Sequence, residues 1–142
     1  MSAELLIDNS AWSRLRHPTL ARDRAEEIFA AFEAGRIATC LPFLLDAGYS
    51  ARSASDHATL FERLRALPDA AVDDRVQKRA LDAQRQLALT GHHRLPAPDL
   101  LLAGVADRHG LGVLHYDSDY DLIAERTDLR FDSVWLAERG SL

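Results

Sequence analysis

The feature that most constrains the fold is an alternation along the whole chain: short apolar runs, each closed by an acidic or turn residue, exchange with stretches of helical spacing. Leu5-Leu6-Ile7 ends at Asp8 and is followed by a helix-compatible stretch around Trp12 and Leu15. Ala25, Ile28, Phe29 and Phe32 keep the i, i+3, i+4, i+7 spacing of one helical face, and Gly35 is placed to end it. Residues 36–41 then predict a second strand and 43–52 a helix after Pro42. Leu60, Phe61, Leu64 and Leu67 mark another helix, opened near Ser55 or Asp56 and stopped before Pro68. Val76, Ala80, Leu81, Leu87 and Ala88 mark the next, ended by Gly91, with a short strand expected between the two at 70–72.

After the proline-punctuated entry at 95–98, residues 99–109 are almost wholly apolar, so that helix must be buried on several sides. Residues 111–116 form the strongest strand pattern in the chain. It ends in Asp117-Ser118-Asp119, a helix follows around 122–125, and 131–136 supply a last strand. Strands alternating with helices imply a parallel sheet with right-handed crossovers. At 142 residues with 47% hydrophobic content, one domain over 1–142 has enough core without covalent staples.

Asp8, Asp99, Asp117 and Asp119 share a position in this pattern: each stands where an extended segment gives way to a helix. In an open parallel sheet such places gather at the carboxyl edge, where ligands bind. Aspartate is also favoured there as an N-cap, and any one of the four alone reads as a cap. Together they raise an electrostatic question, because two charges about 4 Å apart repel by about 4 kcal/mol at an effective dielectric near 20. Either protons are retained at raised pKa, or a hard divalent cation such as Mg²⁺ or Mn²⁺ takes the oxygens as ligands.

The run Leu5-Leu6-Ile7-Asp8-Asn9-Ser10-Ala11-Trp12 resembles the opening of PIN domains, where a hydrophobic strand ends in a metal-binding aspartate followed by a small hydroxyl residue. Pro96-Ala97-Pro98-Asp99-Leu100-Leu101-Leu102-Ala103 is similar to that family's central acidic motif, and Val113 to Asp121 to its C-terminal motif. Order and spacing match over nearly the whole chain, and the size suits the VapC toxin branch. The resemblance implies a PIN-like three-layer α/β/α fold with a central parallel sheet of four or five strands. It implies a metal-dependent endoribonuclease of a VapBC-type toxin–antitoxin module, with an RNA substrate, a cognate VapB-type antitoxin and a homodimeric state.

Within that resemblance Asp8, Asp99 and Asp117 would bind Mg²⁺ or Mn²⁺ directly, and a metal-activated water would attack the phosphodiester. Asp119 and Asp46 would bind a second metal or orient its waters. PIN domains usually carry glutamate where this chain has Asp46, one methylene shorter. Two other classes fit the same scaffold: a metal-dependent phosphatase of small esters, and a binding module that has lost catalysis.

Other residues yield plainer expectations. His92, His93 and His115 lack the spacing of a zinc site, and Ser10 is expected to bond Asp8 or cap the helix. Trp12 and Trp135 read as core or interface residues. Cys40 has no disulfide partner, no basic leader precedes Asp8, and the longest apolar run, 100–106, is far short of the roughly 18 residues of a span. A cytoplasmic, membrane-free protein is expected. The net charge of −5 offers nucleic acid no global attraction, so an RNA site would need local neutralisation by cations or arginines. Helices bearing Ile28, Phe29 and Phe32, and Leu60, Phe61 and Leu64, offer apolar surface for a homodimer or an antitoxin.

Overall fold

The computed structural model describes residues 3–142. Its core is a sheet of four parallel strands, β1 (Leu5–Ile7), β2 (Ile37–Ala38), β3 (Gly112–His115) and β4 (Ser133–Trp135), in the order β2-β1-β3-β4. Leu5 pairs with both Ile37 and Gly112, so β1 is central, and Val113 pairs with Ser133. From β1 the chain first builds outward to β2 and later returns to the opposite side to lay down β3. That reversal opens a crevice at the carboxyl ends of β1 and β3, where side chains can converge on a ligand.

Seven helices cover the sheet among the described residues: α1 (Asn9–Trp12), α2 (Arg22–Glu33), α3 (Leu41–Tyr49), α4 (Ala54–Leu64), α5 (Asp74–Ala88), α6 (Ala97–His109) and α7 (Asp119–Arg126). The α6 helix is buried along most of its length, from Asp99 and Leu100 through Val105 and Ala106, as its all-round apolar sequence requires. Gly104 faces Val76 and Ala80 of α5, where an added Cβ would make ordinary van der Waals contact. Gly110, at φ 68°, ends α6 in the left-handed conformation and turns the chain into β3.

Several elements differ from their sequence patterns. The second strand shrinks from 36–41 to Ile37–Ala38 because Pro42 belongs to the first turn of α3, which starts at Leu41. The stretch at 70–72 is no strand; only an isolated parallel bridge joins Thr39 to Asp69, and Asp73 then caps α5 through the Val76 N–H. The α4 helix opens earlier than Ser55, because Ser53 accepts the Asp56 N–H at 3.0 Å. The helix at Trp12 is a single turn, and Trp12 packs edge-on against Phe32 and Phe43. No helix among the described residues is long and apolar enough to cross a membrane.

The helix faces expected to await a partner are largely absorbed by the core. Ile28 and Leu64 are buried, Phe32, Leu60 and Phe61 are half-buried, and Phe29 keeps part of its ring exposed. The large apolar side chains left in solvent lie elsewhere: Leu41, Leu45 and Tyr49 on α3, Leu81 on α5, and Leu89 just beyond it.

Candidate metal centre

Three short segments deliver carboxylates to the crevice. Asp8 leaves the end of β1 and caps α1, its Oδ2 accepting the Ser10 N–H at 2.9 Å and the Ser10 hydroxyl. The capping reading and the site reading thus hold together for this residue: one oxygen caps, while Oδ1 turns inward. Ser10 Oγ also accepts the Tyr116 N–H at 2.9 Å, which ties the end of β1 to the turn after β3. Asp99 is not a cap. The α6 helix starts at Ala97 after Pro96, which places Asp99 inside the first turn with its side chain buried.

The turn after β3 supplies the other two. Asp117 Oδ1 accepts the Asp119 N–H at 2.9 Å, a local bond that fixes the Asp117 side chain at the start of α7. Carboxylate oxygens of Asp99, Asp117 and Asp119 lie within 4.8 Å of one another. Among the described residues the cluster is made of carboxylates alone; His92, His93 and His115 do not join it.

Tyr120 is the residue that sequence reasoning passed over. It is fully buried, and its hydroxyl donates to Asp8 Oδ1 at 2.7 Å while standing 3.4 Å from Asp99 Oδ1. Burial and the neighbouring Asp8 and Asp99 carboxylates push its pKa up, so the phenol keeps its proton and serves as donor. Its only sequence signal is the helical pairing with Ile123, which marks it as a core residue.

Asp99 Oδ2 is buried and has no hydrogen-bond partner. Burial, then the charges of Asp8, Asp117 and Asp119, raise the Asp99 pKa to about 8. Asp119 is raised as well, by burial and by Asp117. A carboxyl–carboxylate contact becomes a hydrogen bond only when one member is protonated. A buried carboxylate that keeps one oxygen unpartnered and is grouped with two others therefore calls for either a proton or a cation. An all-oxygen anionic donor set fits a hard divalent ion such as Mg²⁺ or Mn²⁺.

Asp8 stands outside this trio, linked to Asp99 through the Tyr120 hydroxyl, and so does Asp46. Asp46 is half-buried on α3, and its carboxyl is pushed up by burial and by the charge of Asp8. Arg14 donates to the Ser10 carbonyl at 2.9 Å and lies 4.9 Å over the Tyr116 ring, next in sequence to Asp117.

Behind the cluster, His115 is completely buried between Tyr120 and Trp135. Burial lowers its pKa against the opposing pull of Asp121, Asp8 and Asp117, so the ring is neutral. The Asp117 N–H donates to its Nδ1 at 3.1 Å, and Nε2 is 2.7 Å from Ser133 Oγ.

Comparison with known proteins places relatives beside this geometry. The family model described as PIN domain matches residues 5–126. Ribonuclease VapC51 of Mycobacterium tuberculosis is 39% identical over 142 residues, covering 100% of this chain and 99% of that protein. Ribonuclease VapC21 of the same organism is 40% identical over 143 residues, covering 99% of each. Among solved structures, DNA-bound VapBC from Salmonella typhimurium aligns with a TM-score of 0.72 at 16% identity, covering 95% of this chain and 99% of that one. VapBC-5 from Mycobacterium tuberculosis aligns at 0.61 with 21% identity, covering 94% and 100%. At such identities the structural likeness speaks for the fold alone.

Proposed function

The chain belongs to the PIN-domain family, and from that premise we propose that it is the toxin of a VapBC-type pair, a Mg²⁺- or Mn²⁺-dependent endoribonuclease. The observation that carries the reading is Asp99 Oδ2, buried without a donor on a carboxylate that is grouped with two others. Retaining such a cluster only for stability would be costly, since each unneutralised pair repels.

Asp8, Asp99 and Asp117 would hold the ion, Asp8 lying outside the grouped trio but sharing the Tyr120 hydroxyl with Asp99, and Asp119 with Asp46 would hold a second ion or orient water at the rim. When bound, the cation lowers the pKa of water and offsets the negative charge that develops on the phosphodiester during in-line displacement. The chain's own groups prepare that chemistry. Tyr120 and Ser10 fix the two oxygens of Asp8, the Asp119 N–H fixes Asp117, and α6 holds Asp99 away from bulk water. Arg14, anchored on Tyr116 and Ser10, offers positive charge to a substrate phosphate at the rim of a chain whose net charge is −5.

The proposal includes a homodimeric state and a VapB-type antitoxin. Leu41, Leu45 and Tyr49 succeed one another at four-residue spacing on α3, the helix that also carries Asp46, and all three are exposed. A segment that buries this stripe would lie beside the pocket and obstruct an RNA strand.

The purified chain, incubated with total RNA and separately with a small phosphomonoester, with and without Mg²⁺ or Mn²⁺, tests the activity. Discrete RNA ends that arise only with divalent cation, without turnover of the ester, are expected. Turnover of the ester with intact RNA would assign the pocket to a phosphatase.

A further inference from the structure

The carboxylates at the crevice explain Asp8, Asp99, Asp117 and Asp119, and they leave a second set of polar contacts unexplained. Running away from the cluster toward the surface are His115, Ser133, Asp121 and Trp135, which come from β3, β4 and α7. Their hydrogen bonds can be given a direction. The Asp117 backbone N–H can only donate, so His115 Nδ1 accepts it. A neutral imidazole then carries its proton on Nε2 and donates to Ser133 Oγ at 2.7 Å. The Ser133 hydroxyl spends its own proton on Asp121 Oδ1 at 2.6 Å, and Trp135 Nε1 donates to Asp121 Oδ2 at 2.9 Å. Every donor has one acceptor, and the chain ends on the exposed carboxylate of Asp121, which accepts from both neighbours.

We infer that His115 is a positioning residue, its tautomer set from the surface by the Asp121–Ser133 relay, and that its Nδ1 holds the backbone of Asp117 so that this carboxylate faces Asp99. The inference rests on the reading of the crevice as a metal centre and adds to it the means by which the Asp117–Asp119 turn is held. His115 is wholly buried although it is polar, and ring contacts to Tyr120 and Trp135 at 4.9 Å leave it little freedom to turn. It joins the one segment of the cluster that is a turn, whereas Asp8 and Asp99 ride on a strand end and a helix. Asp121 shares the first turn of α7 with Asp119, so the relay and the cluster are built on the same helix start.

The chemistry of substitution separates this role from mere packing. Asparagine places its amide oxygen near the position of Nδ1 and keeps an acceptor for the Asp117 N–H. Glutamine reaches instead toward the position of Nε2 and leaves that N–H without its partner. The experiment compares His115→Asn, His115→Gln and Asp121→Ala with the parent chain by two readouts: hydrogen exchange of the Asp117 amide by NMR, and Mn²⁺ affinity by calorimetry. Asp121 is exposed, so its truncation tests the relay without disturbing the core. Faster exchange at Asp117 and about ten-fold weaker Mn²⁺ binding are expected for His115→Gln and Asp121→Ala, with His115→Asn recovering both toward the parent. Unchanged exchange and affinity in Asp121→Ala, or equal losses in the Asn and Gln variants, would overturn the inference. A parent chain that binds no Mn²⁺ would instead refute the metal-centre reading, while the exchange measurement would still decide the role of His115.

Discussion

A carboxyl whose pKa is about 8 in the folded chain and near 4 when unfolded holds its proton more tightly in the native state. For Asp99 this contribution to stability is fully present below about pH 4 and is lost as pH rises toward 8, by up to about 1.4 kcal/mol per unit. Asparagine keeps the shape of aspartate, removes the charge and brings an N–H donor that can reach Asp119. In chelator-treated protein, Asp99→Asn is therefore expected to melt higher than the parent, with the gap widening by at least about 1 kcal/mol, or about 3 °C, between pH 5 and pH 8. Melting curves at the two pH values check this. A gap that stays constant or narrows would mean that Asp99 titrates normally. Tyr120 limits the same repulsion from the other side by donating to Asp8, and its buried hydroxyl has no cheaper use.

Elements matter here chiefly for where they end. The crevice exists because β1 and β3 are neighbours and finish at the same level, and the fit between them is tight. A Cβ on Gly112 would come to 2.9 Å from Leu5 Cδ2 and 3.2 Å from the Asp132 carbonyl oxygen, which belongs to the backbone entering β4. Gly112→Ala is expected to cost about 1–3 kcal/mol in chemical denaturation. Loss of less than about 0.5 kcal/mol would show that β3 can shift between its neighbours. Much of this layout was legible in the sequence. The α2 and α6 helices announce themselves by spacing and by the glycines that close them, and Asp8, Asp117 and Asp119 by their place at junctions. Other parts were not. Residues 70–72 have strand-like composition, yet the chain there makes one bridge before Asp73 starts a helix. Tyr120 looks like any buried aromatic, because its value lies in a hydroxyl contact to a residue 112 positions away. The relay from His115 needs the register of β3 on β4, which no local pattern reveals.

At the scale of the whole molecule, a chain of net charge −5 gathers carboxylates into one crevice and leaves an apolar stripe on the adjoining α3 helix. Both features suit a nuclease that works with cations and is held in check by a partner, and the first depends on the acidic trio, with Asp8 beside it, being a metal centre. Cleavage of total RNA across a Mn²⁺ titration by the parent, Asp8→Asn and Asp99→Asn, beside melting curves for all three, tests that claim most directly. Each substitution is expected to lower cleavage at least about a hundred-fold, with Asp99→Asn melting no lower than the parent without metal. Asparagine caps a helix almost as well as aspartate, so cleavage at the parental rate in both folded variants would contradict the metal centre and return these aspartates to structural duty.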